Sequence, residues 1–235
     1  MVRDKYVQQA LQQVRTRMEV RGLAPVTVTI YERSIRRFIT HVGQPLGSVK
    51  RREVEEFLVE LARRGIHPRT RNVILGALRF AFRGFRGLNP TVGVPMAKAP
   101  RRTPEILSGS EVTRLLDATT APKYRAIFLL AYGAGLRVSE VVGLATTDID
   151  SERMLLHVRA GKTGPRYVML SPRVLEALRA YWRAFRPTGP QLFPGRGTAV
   201  ADPHLTRMAV HKVLAKVARA AGGRHAGPDR LGRLA

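Results

Sequence analysis

Residues 130–144 have the sequence LAYGAGLRVSEVVGL and join a strongly apolar segment to a shorter, more polar one. The apolar part predicts a buried helix, which Gly133 and Gly135 bring to an end. Arg137 is therefore expected at the edge of a core, where rigid neighbours place it. Glu140 follows three residues later, a spacing at which the two side chains can pair on one helical face. The pattern indicates either a purely structural Arg–Glu pair or an arginine positioned for a function.

A glycine-flanked turn follows, between predicted strands over 153–159 and 166–170. Its sequence is GKTG, and Lys162 is expected to project outward from it. Arg159 and Arg166 on either side favour a contact with phosphate, whereas an ordinary surface lysine is the other interpretation. The glycine spacing of a nucleotide-binding phosphate loop is absent, so this turn is not predicted to bind nucleotide.

The chain around these motifs divides into two predicted units. Four segments with helical periodicity make residues 1–88 a small all-α unit. Residues 89–104 contain four prolines and a basic pair, which indicates a stiff linker. Residues 105–221 combine further helices with the hairpin, and residues 222–235 show no periodicity. The predicted fold class is mainly α with a small β-sheet.

Capping residues indicate where several helices begin. Proline is tolerated at the first helical position, and serine, threonine and aspartate accept hydrogen bonds from the first turn. The predicted starts are Pro25, Ser48 (as the N-cap of the third helix), Pro68, Ser108, Pro122, Ser171 and, for the last helix, the Asp202-Pro203 pair. Tyr132 is predicted to be a core residue and Tyr167 a hairpin residue.

The charge of the chain points to a polyanionic partner. Its 235 residues include 41 Lys and Arg against 17 Asp and Glu, a formal net charge of +24, and both predicted units carry the excess. Nucleic acid is the first candidate and an anionic membrane surface the second. The absence of cysteine excludes a disulfide scaffold and a thiolate metal site. The six histidines are not grouped with carboxylates, so we expect no metal ion and no small-molecule cofactor.

No apolar run is long enough to span a membrane, and the first residues do not resemble a secretory signal. We therefore expect no membrane partner and a cytoplasmic, bacterial-type, nucleoid-associated location.

Three stretches, in this order, resemble the tyrosine recombinases, or phage-type integrases: TVTIYERSIRRF at 27–38, the segment at 130–144, and RAGKTGPRYVMLSP at 159–172. The first is typical of the family's N-terminal core-binding helices, the second of its first catalytic-arginine box, and the third of the hairpin with its catalytic lysine. The resemblance implies a SAM-like four-helix core-binding domain and a mixed α+β catalytic domain that clamp duplex DNA. It also implies other recombinase protomers as partners.

The resemblance further implies chemistry at a DNA phosphodiester. A family member attacks the phosphorus with a tyrosine, forming a 3′-phosphotyrosyl bond and freeing a 5′-hydroxyl without metal or ATP. Arg137 would bind the non-bridging oxygens, Lys162 would protonate the leaving oxygen, and Glu140 would hold Arg137. The expected DNA contacts are Arg36, Arg37, Arg69, Arg71, Arg101, Arg102, Arg159 and Arg166.

The sequence departs from the family pattern after the helix predicted to end at 221. The His-x-x-Arg box is not found there, and no tyrosine follows Tyr181. These departures predict an incomplete, C-terminally truncated catalytic domain with an aberrant tail that binds DNA but does not cleave it alone. The alternatives are a catalytically dead remnant that occupies recombination sites and, from another class, a basic structural nucleic-acid protein.

Overall fold

The computed structural model describes residues 2–83, 89–100, 107–159, 161, 164–195 and 205–222. The chain divides into two units, Met1–Arg102 and Thr103–Ala235. Each unit has its own hydrophobic core, as a domain requires.

The first unit is helical, as the sequence predicts. Its helices are α1 (Val2–Val20), α2 (Pro25–Val42), α3 (Arg51–Arg63) and α4 (Pro68–Phe82). Helix α2 contacts α1, α3 and α4, and its Phe38 is fully buried at their centre. The Phe38 ring meets those of Phe57 and Phe82 edge-on, with centroids 5.2 and 6.1 Å apart. This edge-to-face packing is a favoured aromatic arrangement.

The predicted start of α3 at Ser48 is wrong. Residues Leu46–Ser48 form a 3-10 turn that buries Leu46, and the helix begins at Arg51 with Lys50 as its N-cap. The Glu53 carboxylate accepts a hydrogen bond from the backbone N–H of Lys50 at 2.9 Å. The acidic residue of the first turn, rather than an N-cap hydroxyl, therefore closes this helix end.

Residues 89–100, predicted as part of a linker, are fastened to the first unit by side chains of α4. The Asn72 amide donates to the Ala97 carbonyl at 3.0 Å and accepts from the Ala97 N–H at 2.8 Å. Arg79 donates to the carbonyl of Val94 at 2.8 Å, and the Val94 side chain is buried. Prolines prevent this segment from being helical, but its backbone polar groups find side-chain partners instead. The remaining linker residues, 101–104, lie outside the described residues.

The second unit combines helices with a small sheet. Its helices are α5 (Gly109–Asp117), α6 (Pro122–Gly133), α7 (Val138–Val142), α8 (Pro172–Phe185) and α9 (Arg207–Ala220). Strands β1 (Ile149–Asp150), β2 (Leu155–Val158) and β3 (Arg166–Met169) form an antiparallel sheet in that order. Within the β2–β3 hairpin, Val158 pairs with Arg166 and Leu155 with Met169. The predicted hairpin is thus present, and β1 extends it.

Helix α6 forms the centre of the second core. Residues 126–131 are buried all round, and the helix packs against α8. Tyr181 of α8 is also buried, and its hydroxyl donates to the Leu192 carbonyl at 2.9 Å. Tyr132, predicted to be a core residue, is 42% exposed because it follows the buried stretch at the end of α6.

The predicted start of the last helix at Asp202-Pro203 is also wrong. Helix α9 begins at Arg207, and the Thr206 hydroxyl accepts from the Ala209 N–H at 3.2 Å. Residues 201–204 lie outside the described residues. No helix in the described part of the chain is both long and apolar enough to cross a membrane.

Candidate functional site

The turn between α6 and α7 places Arg137. Gly135 has a φ of +63°, a left-handed conformation that glycine adopts without steric cost. Leu136 then enters the core, and Arg137 becomes the N-cap of α7. Buried residues thus fix the backbone on both sides of Arg137 while its side chain stays 50% exposed. The sequence prediction of an arginine held at the edge of a core is consistent with this geometry.

Glu140 is the buried centre of the site, with a side chain only 2% exposed. Its Oε2 accepts from the backbone N–H of Arg137 at 2.9 Å, and its Oε1 accepts from Nη1 of the Arg137 guanidinium at 3.1 Å. The carboxylate therefore caps α7 and holds the Arg137 side chain at once.

Arg166, at the start of β3, binds the same carboxylate with both arms of its guanidinium. Nη1 lies 3.0 Å from Oε1 of Glu140, and Nη2 lies 2.9 Å from Oε2. Hydrogen bonds from Arg166, followed by those from Arg137, lower the pKa of Glu140 to about 2 against the opposing effect of burial. The carboxylate is therefore ionised at neutral pH, and the group of three carries one net positive charge.

A second buried carboxylate belongs to Asp148, the last residue of the 3-10 turn Thr146–Asp148 that precedes β1. Asp148 accepts from the backbone N–H of Ala145 at 2.8 Å and from Nε of Arg159, whose Nη2 also donates to the Thr147 hydroxyl at 2.9 Å. The aromatic ring of His157 stacks on Tyr167 of the neighbouring strand, with centroids 4.8 Å apart. Arg159 and Arg166 thus each bind an acid that precedes the hairpin in sequence.

The turn itself is described only at its ends. Gly164 has a φ of +98° and its N–H donates to the Gly161 carbonyl at 3.0 Å. Lys162, predicted to be the general acid, lies outside the described residues, as do Arg101 and Arg102. Their predicted roles stay predictions.

The arginines predicted to contact DNA in the first unit differ in exposure. Arg36 and Arg69 are exposed, and Arg37 is half-buried. Arg36 and Arg37 line an open cleft between α2 and α3 together with Arg33 and Arg64. Arg71 is also half-buried, and its Nε is buried without a hydrogen-bond partner among the described residues.

Tyr181, the last tyrosine of the sequence, cannot act as a nucleophile in this conformation. Burial raises its pKa to about 12, and its hydroxyl is bound to Leu192. Tyr132 and Tyr167 are exposed, and Tyr167 lies on the hairpin as predicted. Within the described residues, no cluster of three or more His, Asp or Glu residues could hold a metal ion.

The pairing of Arg159 and Arg166 with buried acids was missed by the sequence analysis, which treated both only as DNA contacts. For Glu140 the available signal was an isolated acid in the apolar segment 138–142, since a buried carboxylate requires a partner. That signal identifies Glu140 as a residue that needs a cationic partner, but it does not show which cation binds it, and it does not distinguish Asp148 from the nearby Asp150.

Comparison with known families gives two matches that together span most of the chain. Residues 10–88 match the model of the phage integrase N-terminal SAM-like domain. Residues 105–232 match the model of the phage integrase family.

Curated relatives include the integrase/recombinase y4qK of Sinorhizobium fredii, 39% identical over 203 residues, and the tyrosine recombinase XerA of Thermococcus onnurineus, 34% identical over 180. These alignments cover 85% and 74% of this chain. The chain spans 65% and 62% of those two proteins, which is less than two thirds of their length. The tyrosine recombinase XerC of Neisseria meningitidis is 31% identical over 232 residues, 89% of this chain and 75% of the relative.

Solved structures share the fold. A lambda integrase fragment (residues 75–356) bound to DNA matches with a TM-score of 0.73 at 20% identity, covering 100% of this chain and 85% of that one. The Tn1549 transposon integrase in complex with transposon right end DNA matches with the same TM-score at 17% identity, covering 94% of this chain and 83% of that one.

Proposed function

The chain belongs to the phage integrase family of tyrosine recombinases, and from that premise we propose that it binds duplex DNA and presents Arg137 to a backbone phosphate during site-specific recombination. The observation that carries this proposal is the buried Glu140 carboxylate, which holds a half-exposed guanidinium at a fixed position. A preorganised cation of this kind is what a phosphoryl-transfer site needs, because its charge is in place before the reaction begins.

Arginine suits this role better than lysine. A guanidinium stays protonated at any physiological pH and offers parallel N–H groups that match two phosphate oxygens. Among the described residues, the Arg137 side chain is bound to Glu140 through Nη1 alone. Its remaining N–H donors are therefore available to a ligand on the exposed side.

Lys162 is proposed as the general acid that protonates the leaving 5′-oxygen. Support comes from its place in the sequence, between Gly161 and Gly164 of the turn that follows Arg159. The proposal extends to the charged surface of the first unit, where Arg36, Arg37 and Arg69 would bind backbone phosphates and supply affinity rather than chemistry.

Strand cleavage by the 235-residue polypeptide alone is not part of the proposal. Its sequence has no tyrosine after Tyr181, and Tyr181 is buried with a raised pKa. DNA binding without cleavage is also what a protein that only occupies recombination sites would do. We extend the proposal to other recombinase protomers as partners and to a nucleoid-associated, cytoplasmic location, where the proposed substrate is found.

The test is binding to a labelled duplex of roughly 30 base pairs, about three helical turns. We expect the logarithm of the affinity to fall linearly with the logarithm of the salt concentration between about 50 and 200 mM. The double variant Arg36→Gln with Arg37→Gln should reduce that slope by about 2, since each lost phosphate contact removes about one unit. The control is Arg52→Gln, because Arg52 is already paired with Glu56 in its own helix.

Three results would overturn parts of the proposal. Salt-independent binding, or none, would contradict the assignment of duplex DNA as the partner. A slope unchanged in the double variant would remove the α2 surface from the interface. A covalent protein–DNA adduct on a nicked duplex would show that this polypeptide cleaves DNA after all.

A further inference from the structure

Two arginines flank the hairpin turn, and each binds a buried carboxylate. Arg159 directly follows β2, and Arg166 is the first residue of β3. The first binds Asp148 and the second binds Glu140, so both ends of the turn are tied to the segment that precedes the hairpin. The side chains of the two acids are each 2% exposed.

Both carboxylates are themselves fixed to the backbone of that segment. Glu140 accepts from the N–H of Arg137 at the start of α7, and Asp148 accepts from the N–H of Ala145 at the start of the following 3-10 turn. Each acid therefore connects a strand of the hairpin to a helix start. The Glu140 connection leads directly to Arg137, because one carboxylate binds both guanidinium groups.

Close packing at the first glycine of the turn strengthens this connection. A Cβ atom at Gly161 would lie 2.7 Å from Nη1 of Arg166, 2.7 Å from the Gly164 carbonyl oxygen and 3.4 Å from Oε1 of Glu140. Atoms do not approach this closely without displacement, so only glycine fits against the Arg166–Glu140 pair. Gly161 is thus packed directly on the Arg166–Glu140 pair.

We propose that Arg159 and Arg166 are positioning residues that hold the two described ends of the turn, Gly161 and Gly164, in register with Arg137, and that they are not DNA contacts. This inference rests on the proposed function, in which the turn carries Lys162. Both arms of the Arg166 guanidinium donate to Glu140. Arg159 donates from Nε to Asp148 and from Nη2 to Thr147. Because Glu140 holds both arms of Arg166, a phosphate would have to displace a buried carboxylate to bind that fork. Arg159 keeps Nη1 on a side chain that is 57% exposed, so its exclusion from the DNA interface is tested by the salt slope of Arg159→Gln.

The test compares Arg166→Lys with Arg153→Lys in the full chain. The first variant keeps the charge but loses the two-armed fork that lysine cannot reproduce. The second is the matched control, because Arg153 binds Asp150 at 2.9 Å in the same sheet but is exposed and lies away from the turn. Amide hydrogen exchange is measured over residues 158–166 and, as a reference for overall stability, over α6.

We expect exchange over 158–166 to accelerate at least about tenfold in Arg166→Lys while α6 is unchanged, since local opening needs no global unfolding. The Nε–H resonance of Arg137 should also shift, because Glu140 is shared, and neither change should occur in Arg153→Lys. The salt slope of duplex binding should stay that of the wild type. Arg159→Gln, tested in the same way, should accelerate amide exchange at the end of the turn that follows β2.

Unchanged exchange over 158–166, or an increase no larger than that in α6, would overturn the inference. So would a salt slope reduced by about one in Arg159→Gln, the change expected for a lost phosphate contact. Failure of the wild type to bind duplex DNA would contradict the proposed function alone, because the exchange experiment needs no DNA.

Discussion

Replacing Glu140 with glutamine is expected to destabilise the second unit by about 3 kcal/mol at neutral pH. The change keeps the shape of the side chain but removes the charge that binds Arg137 and Arg166. The pKa of Glu140 falls from its usual 4.5 to about 2 in the folded protein. Each unit of such a difference is worth about 1.4 kcal/mol, which gives the figure above. The lower end of the range for broken buried pairs, about 3 to 5 kcal/mol, is appropriate because both arginines can regain water.

The lowered pKa of Glu140 also determines how the stability difference between wild type and Glu140→Gln depends on pH. A carboxylate whose pKa is lowered by folding contributes its full stability above the unfolded pKa, near 4.5, and loses it as the pH falls toward 2. The difference in stability between wild type and Glu140→Gln should therefore be largest at pH 7. It should shrink to about 2 kcal/mol near pH 3.5 and continue to fall below that.

Urea unfolding followed by tryptophan fluorescence measures the difference in free energy of unfolding for the second unit of the chain. The chain has a single tryptophan, Trp182, which lies in α8 of the second unit. Asp150→Asn is the control, since Asp150 also binds an arginine but at the surface, where the pair contributes little. A gap below about 1 kcal/mol at pH 7, or one that does not change with pH, would refute the account of Glu140 as an ionised carboxylate stabilised by its arginines.

Three further predictions concern single residues. Asn72→Ala should lower the free energy of unfolding of the first unit by about 1 to 3 kcal/mol, because Ala97 loses both of its hydrogen bonds to Asn72. Proteolysis near Ala97 should then be faster, and resistance equal to that of the wild type would contradict the prediction. Phe38→Ala should lower the stability of the first unit by about 3 to 5 kcal/mol, since the side chain is fully buried. Circular dichroism in urea measures this loss, and a loss under about 1 kcal/mol would refute the aromatic packing around Phe38. Arg137→Ala should change duplex affinity by less than about tenfold, because the proposed function gives Arg137 one phosphate among many; a loss of several orders of magnitude would show that Arg137 dominates binding.

Local chemistry explains which parts of the fold were predictable. Helices α2, α4, α6 and α8 begin at a proline, which is favoured at the first helical position, and the structure confirms those starts. The β2–β3 hairpin followed from two apolar strands around a turn with glycines. The Arg137–Glu140 pair was predictable because three residues of one short helix separate the two.

Contacts between distant parts of the chain could not be predicted in this way. Arg166 binds an acid 26 residues earlier, and Asn72 binds a backbone 25 residues later. Neither separation has a periodicity that a sequence pattern can reveal. The start of α3 was misjudged for a related reason: Ser48 is a good N-cap, but burial of Leu46 in the 3-10 turn takes precedence.

The most direct test of the central claim is to follow the Nε–H resonances of Arg137 and Arg166 by NMR while duplex DNA is added. In the proposed function Arg137 contacts a phosphate, whereas Arg166 stays bound to Glu140. The Arg137 resonance should therefore shift on binding, while that of Arg166 stays in place. A shift of Arg166 with Arg137 unchanged would contradict the roles assigned to both arginines.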